Sequence, residues 1–111
     1  MAQTLKILGQ VRPTAATLTT LYTAPSTVTG GVAIASVIVT NTNVFASTFR
    51  ISAAVAGAAD NINQYLYYDL PIAASDTFIA TIGLTLAAVD TLRCQSASGQ
   101  LNFTVSGVEN S

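Results

Sequence analysis

Gln100-Leu101-Asn102-Phe103-Thr104-Val105-Ser106 alternates polar and apolar side chains without a break. That is the period of two by which an extended chain sends successive residues to opposite faces. Leu101, Phe103 and Val105 make one row and the polar residues the other, so the stretch reads as a half-buried strand. Working outward, residues 48–55 repeat the pattern, with Phe49, Ile51, Ala53 and Val55 expected inward and Arg50 and Ser52 outward. Residues 32–40 are β-branched and nearly continuously apolar, which suits a strand covered on both faces, by the core and by a neighbouring subunit. Residues 5–11, 17–23, 65–70, 76–82 and 91–96 complete a set of eight expected strands.

Turn chemistry separates these runs at short intervals: Ala24-Pro25-Ser26, Gly30-Gly31, Asn41-Thr42-Asn43, Asp60-Asn61, Leu70-Pro71, Val89-Asp90 and Ser98-Gly99. Nothing between them is long enough for a crossover helix, so a parallel α/β sheet is disfavoured. The expected fold is an all-β, single-domain antiparallel β-sandwich, with jelly-roll and immunoglobulin-like strand orders both open. Residues 1–13 are expected to form an N-terminal arm and residues 14–111 the sandwich. The Ala-rich residues 53–59 could wind for one turn, but Gly57 and Asp60-Asn61 favour a loop.

Only 8% of the 111 residues are charged, against roughly 25% in ordinary soluble proteins, while half are hydrophobic. Mean hydropathy is +0.54. A domain of this size cannot bury all of that apolar surface internally, so part of it is expected against partner subunits. The apolar stretches 32–39 and 78–89 fall short of the ~20 residues that a membrane-spanning helix needs. The start, Met1-Ala2-Gln3-Thr4-Leu5-Lys6, lacks the apolar core of a secretory signal. With the lone Cys94, it leads to the expectation of a protein made in a cytoplasm. Lys6, Arg12, Arg50 and Arg93 are scattered and the net charge is −1, which gives nucleic acid little to bind.

Histidine is absent, which removes the commonest general base and the commonest transition-metal ligand. No CxxC or clustered ligand pair suggests zinc, and Cys94 reads as a buried, inert thiol. Asp60, Asp69, Asp76 and Asp90 mostly adjoin turns, where aspartate bonds its own backbone. Asp60-Asn61-Ile62-Asn63 is a weak calcium candidate, and Asn102-Phe103-Thr104 matches a glycosylation acceptor only by chance in mid-strand. The chain is therefore expected to be no enzyme and to hold no cofactor or metal. The most distinctive feature is Tyr65-Leu66-Tyr67-Tyr68-Asp69, with Tyr65 and Tyr67 expected on one face and Leu66 and Tyr68 on the other. Tyrosine suits an interface because its ring is apolar and its hydroxyl can be satisfied by a partner, and Arg50 is a natural counter-ion for Asp69. A sugar-stacking platform is the alternative use of those rings.

The order of segments is informative as well: Leu21-Tyr22-Thr23-Ala24-Pro25, a β-branched strand ending at Asn41, then Thr48-Phe49-Arg50-Ile51. Tyr65-Leu66-Tyr67-Tyr68-Asp69, Pro71-Ile72-Ala73-Ala74-Ser75-Asp76-Thr77-Phe78, Gly83 and a closing Phe103 to Glu109 follow. Over about residues 9–109 this resembles small virion proteins of tailed bacteriophages, in particular the β-sandwich decoration or cement proteins of the capsid exterior. The resemblance implies a structural homotrimer on the capsid surface, made in the host cytoplasm and bound to the major capsid protein without nucleic acid or membrane. A tail or baseplate component and a carbohydrate-binding sandwich are the alternatives. Leu5 and Ile7 on the arm, with Tyr65, Tyr67, Arg50 and Asp69, are the expected subunit or capsid contacts.

Overall fold

The structure, a computed structural model, describes residues 3–111. Nine strands follow one another: β1 Gln3–Val11, β2 Thr19–Thr23, β3 Val32–Asn41, β4 Ser47–Ala54, β5 Tyr65–Ile72, β6 Thr77–Ala80, β7 Thr85–Leu86, β8 Thr91–Ser96 and β9 Leu101–Asn110. They make two antiparallel sheets. The first runs β1-β9-β3-β6, with β7 also paired to β3, and the second runs β2-β8-β4-β5.

That order is the one obtained by rolling up a long hairpin. β4 pairs β5, β3 pairs β6, β2 pairs β8 and β1 pairs β9, each pair nested inside the next. The roll is closed by β3 on β9 and β4 on β8. This is jelly-roll order. An immunoglobulin-like sandwich would instead pair its first strand with its second. Successive strands run in opposite directions except β6 and β7, which follow one another along β3, so loops 12–18, 42–46, 73–76 and 97–100 gather at one end. Loops 24–31, 55–64 and 87–90 gather at the other.

The core lies between the sheets and is built from the rows that alternation supplies. β9 gives Leu101, Phe103 and Val105, β3 gives Val32, Ile34, Val37 and Val39, and β4 gives Phe49 and Ile51, all buried. Phe49 sits at its centre, with its ring 5.4 Å from Phe78, 6.1 Å from Phe103 and 6.3 Å from Tyr67. Cys94 is fully buried on β8, and burial pushes its thiol up to about 12.

Several expectations are corrected. Residues 3–11 of the expected arm are not detached. They form β1, paired along its length with β9, because Leu8 and Val11 pack against the core; Met1 and Ala2 lie outside the described residues. Val55 is exposed rather than inward, since β4 ends at Ala54 and the chain turns through a short 3-10 segment with Ala56 at φ 52°. β9 runs on to Asn110 because it is a central strand with a partner on each side.

Candidate functional site

Of the six residues singled out above, Leu5 and Ile7 lie on one outer face of the sandwich, Arg50, Asp69 and Tyr65 on the other, and Tyr67 turns inward, so they form no single surface. Leu5 and Ile7 point away from the core on sheet one and are 77% and 58% exposed. Register carries the same outward row across the sheet: Leu5 is opposite Val108, which is opposite Ala33, and Thr104 is opposite Ile38, which is opposite Ile79. Ser36, Ser106 and Thr40 fill the gaps, with Ser36 and Ser106 joined by a 3.0 Å hydrogen bond.

The strand charges of this sheet are turned the other way. The Tyr22 hydroxyl, on β2, donates to Glu109 Oε2 at 2.6 Å, and Lys6 Nζ lies 3.0 Å from Glu109 Oε1. The hydrogen bond from Tyr22 and then that from Lys6 hold the Glu109 carboxyl below its usual value. Burial, followed by the bond to Glu109, raises the Tyr22 hydroxyl. The outcome is a sheet whose inner margin holds an ion pair and whose outward strand positions carry no charge, with Arg12 at the rim of that face beside Gln10, Asn102 and Thr104. The sequence signal for the triad was weak, because its three members are far apart in the chain.

The free edges of the two sheets differ. β6 and β7 are short, β2 is broken by a register shift, and β5 carries Pro71 and two shifts. On β1 the shift falls after Ile7, so Gln3 to Ile7 form an unbroken, proline-free edge. Every residue of it is exposed.

Arg50, Asp69 and Tyr65 come together on the outer face of sheet two. Arg50 Nε and Nη2 donate to the two Asp69 oxygens at 2.7 and 3.2 Å, and the guanidinium lies 4.0 Å from the centre of the Tyr68 ring. The fork lowers the Asp69 carboxyl and raises Arg50. Tyr65 packs edge-on against Tyr68 at 5.2 Å and donates to Asp60 at 2.9 Å. Tyr67 does not share a face with Tyr65. The two shifts in β5 turn it inward onto Phe49 and Phe78, while Tyr65 and Tyr68 stay outside. Asp69 itself has φ 55°, a left-handed conformation that aspartate tolerates better than most residues.

The other two cations are also engaged within the chain. Arg12 ties one loop end together through Gly99, Thr42, Asn102 and Gln100. Arg93 donates to the carbonyls of Gly57 and Ala58. The aspartates near turns serve local structure: Asp90 accepts from the backbones of Ala56 and Ala87, and Asp76 from Thr77. Asn61 caps the short 3-10 segment Ile62–Gln64. Among the described residues, no three His, Cys, Asp or Glu side chains are grouped to hold a metal ion, and no helix is long and apolar enough to cross a membrane.

One exposed feature escaped sequence reading. Buried Asn41 donates to the carbonyls of Phe45 and Ala73 and accepts from the Asn43 backbone, fixing the loop between β3 and β4. Val44 and Phe45 stand out from its tip, 74% and 71% exposed. Two large apolar residues inside a turn were the available signal. Comparison with the models of known protein families, with curated proteins and with solved structures found no match.

Proposed function

We propose that this chain is a structural virion subunit of a tailed bacteriophage, a decoration protein that sits as a trimer on the outside of the head where major capsid subunits meet. The observation that carries the reading is the outer face of sheet one, whose outward strand positions are neutral and which has Arg12 at one rim, bordered by the open edge of β1. The part of this face built from alanine, isoleucine, leucine, valine, serine and threonine, away from Arg12, can be covered without desolvating an ion, which is the main cost of closing a charged interface. The edge from Gln3 to Ile7 offers unpaired backbone groups to which a neighbouring strand can add, with Leu5 and Ile7 giving side-chain selectivity. Many weak neutral contacts of this kind, summed over several neighbours, would clamp a junction mechanically. Jelly-roll order supports the reading only in part, since capsid and lectin domains share it and fold alone assigns no function.

The test is co-sedimentation of the purified protein with undecorated phage capsids, with its mass measured by light scattering. Stoichiometric capsid binding by a trimer, lost in a Leu5→Lys/Ile7→Lys variant that still folds, is the expected result. A monomer that ignores capsids would sink the proposal and direct the search to tails and baseplates.

A further inference from the structure

The outer face of sheet two carries a different kind of surface. Beside the Arg50–Asp69 fork lies an open depression of about 350 Å³, lined by Ala16, Thr48, Arg50, Asp69, Gln95 and Ala97 among others. We propose that it is a binding site for a neutral sugar ring, with Arg50 and Asp69 taking two adjacent hydroxyls.

The chemistry of the lining selects that class. A sugar hydroxyl both donates and accepts, so a pair of them is matched by one fixed donor next to one fixed acceptor. Asp69 accepts and Arg50 donates. The fork uses Nε and Nη2 and leaves Nη1 outside it. Gln95 and Thr48 add an amide and a hydroxyl within the same depression. The pair is neutral in sum, so an anionic ligand would meet Asp69 and a cationic one Arg50, whereas an uncharged polyol meets neither penalty. The methyl groups of Ala16 and Ala97 give the rim an apolar surface for the C–H face of a ring.

The site is also held in place before any ligand arrives. Arg50 is fixed on one side by Asp69 and on another by the Tyr68 ring at 4.0 Å. The Ala16 amide donates to Ser96 at 2.8 Å and the Ala97 amide to Thr48 at 3.0 Å, which ties two loops to the sheet. Asp69 and Ala16, both at φ 55°, are two of five non-glycine residues with left-handed backbone among the described residues, and both line this depression. Backbone in that region is costly and tends to persist where a side chain or an amide must be aimed.

The experiment is saturation-transfer NMR on the full chain with methyl α-glucopyranoside, methyl β-galactopyranoside and methyl α-mannopyranoside, each at about 10 mM, a concentration suited to the millimolar affinity of a shallow site. At least one sugar is expected to show transfer. Asp69→Asn keeps the shape and tolerates the left-handed backbone, and it should weaken binding by about tenfold. Gln95→Ala, a surface change on β8, should weaken it as well. Ile79→Thr, on the opposite face, should leave it unchanged, and amide spectra would confirm that each variant folds. Absence of transfer with all three sugars, or wild-type binding by both Asp69→Asn and Gln95→Ala, overturns the proposal. Capsid co-sedimentation reads the other face, so the two proposals fail separately.

Discussion

Glu109 is the residue through which pH should reach this molecule. Its carboxyl is held below the ordinary glutamate value of 4.5 by hydrogen bonds from Tyr22 and Lys6, so the folded state binds a proton less readily than the unfolded chain. A group depressed on folding stabilises the fold above its unfolded pKa, and that contribution is lost as pH falls through the folded value. Asp69, lowered by Arg50, acts in the same direction. Tyr22 is raised instead, so its contribution is complete below the unfolded value of 10.0 and declines above it. Urea midpoints should therefore be flat near neutrality and fall below pH 4.5 and above pH 10. In Glu109→Gln the acid fall should be shallower, and an acid limb identical to wild type would refute this assignment. At this scale the sequence was partly legible. Opposite charge identified Arg50 as the partner of Asp69, whereas the Tyr22–Glu109–Lys6 contact depends on a fold that brings both ends of the chain to one place. Tyr67 was assigned to the wrong face because a strict period of two has no room for the extra residues that β5 inserts.

Among the elements, β3 and β9 depend on an unusually close approach. A Cβ built at Gly107 would collide with the Ala33 carbonyl oxygen, so β9 can lie against β3 at that point only with glycine. Gly107→Ala should lower the unfolding free energy by about 1–3 kcal/mol, the range for forcing atoms into a packed site. Gly83→Ala, where an added methyl meets nothing within 4 Å, should be neutral to within about 0.5 kcal/mol in the same denaturant titration. Equal effects from the two would disprove the close-approach argument. Alternation made β9 and β4 readable in the sequence, and a continuous β-branched run did the same for β3, because each strand writes its burial into its own residues. β7 was not readable. Two residues carry no period, and they are strand only because β3 leaves its edge open beside them. Nor could β1 be recognised as docked, since residues 3–7 are exposed on both faces and read like a free arm.

At the scale of the whole molecule, strand order was beyond the sequence because each partner is chosen by the global roll, and local patterning is the same in either sandwich type. The nested order nonetheless predicts how the molecule forms. Closing a loop costs more as it lengthens, so the β4–β5 pair is cheapest to make and the β1–β9 pair dearest. Folding should take milliseconds to seconds, as for other proteins built on distant pairings. In stopped-flow experiments Phe49→Leu on β4 should mainly slow folding, while Val11→Ala on β1 should mainly speed unfolding. The reverse pattern would rule out growth from the middle outward. The pairing of Gln3 with Asn110 then sets a timetable for biosynthesis. As the chain leaves the ribosome, β1 emerges first and its partner β9 last. The first strand of the sandwich therefore waits unpaired while the other eight are made, and its open edge is among the last parts of the sandwich to be set in place.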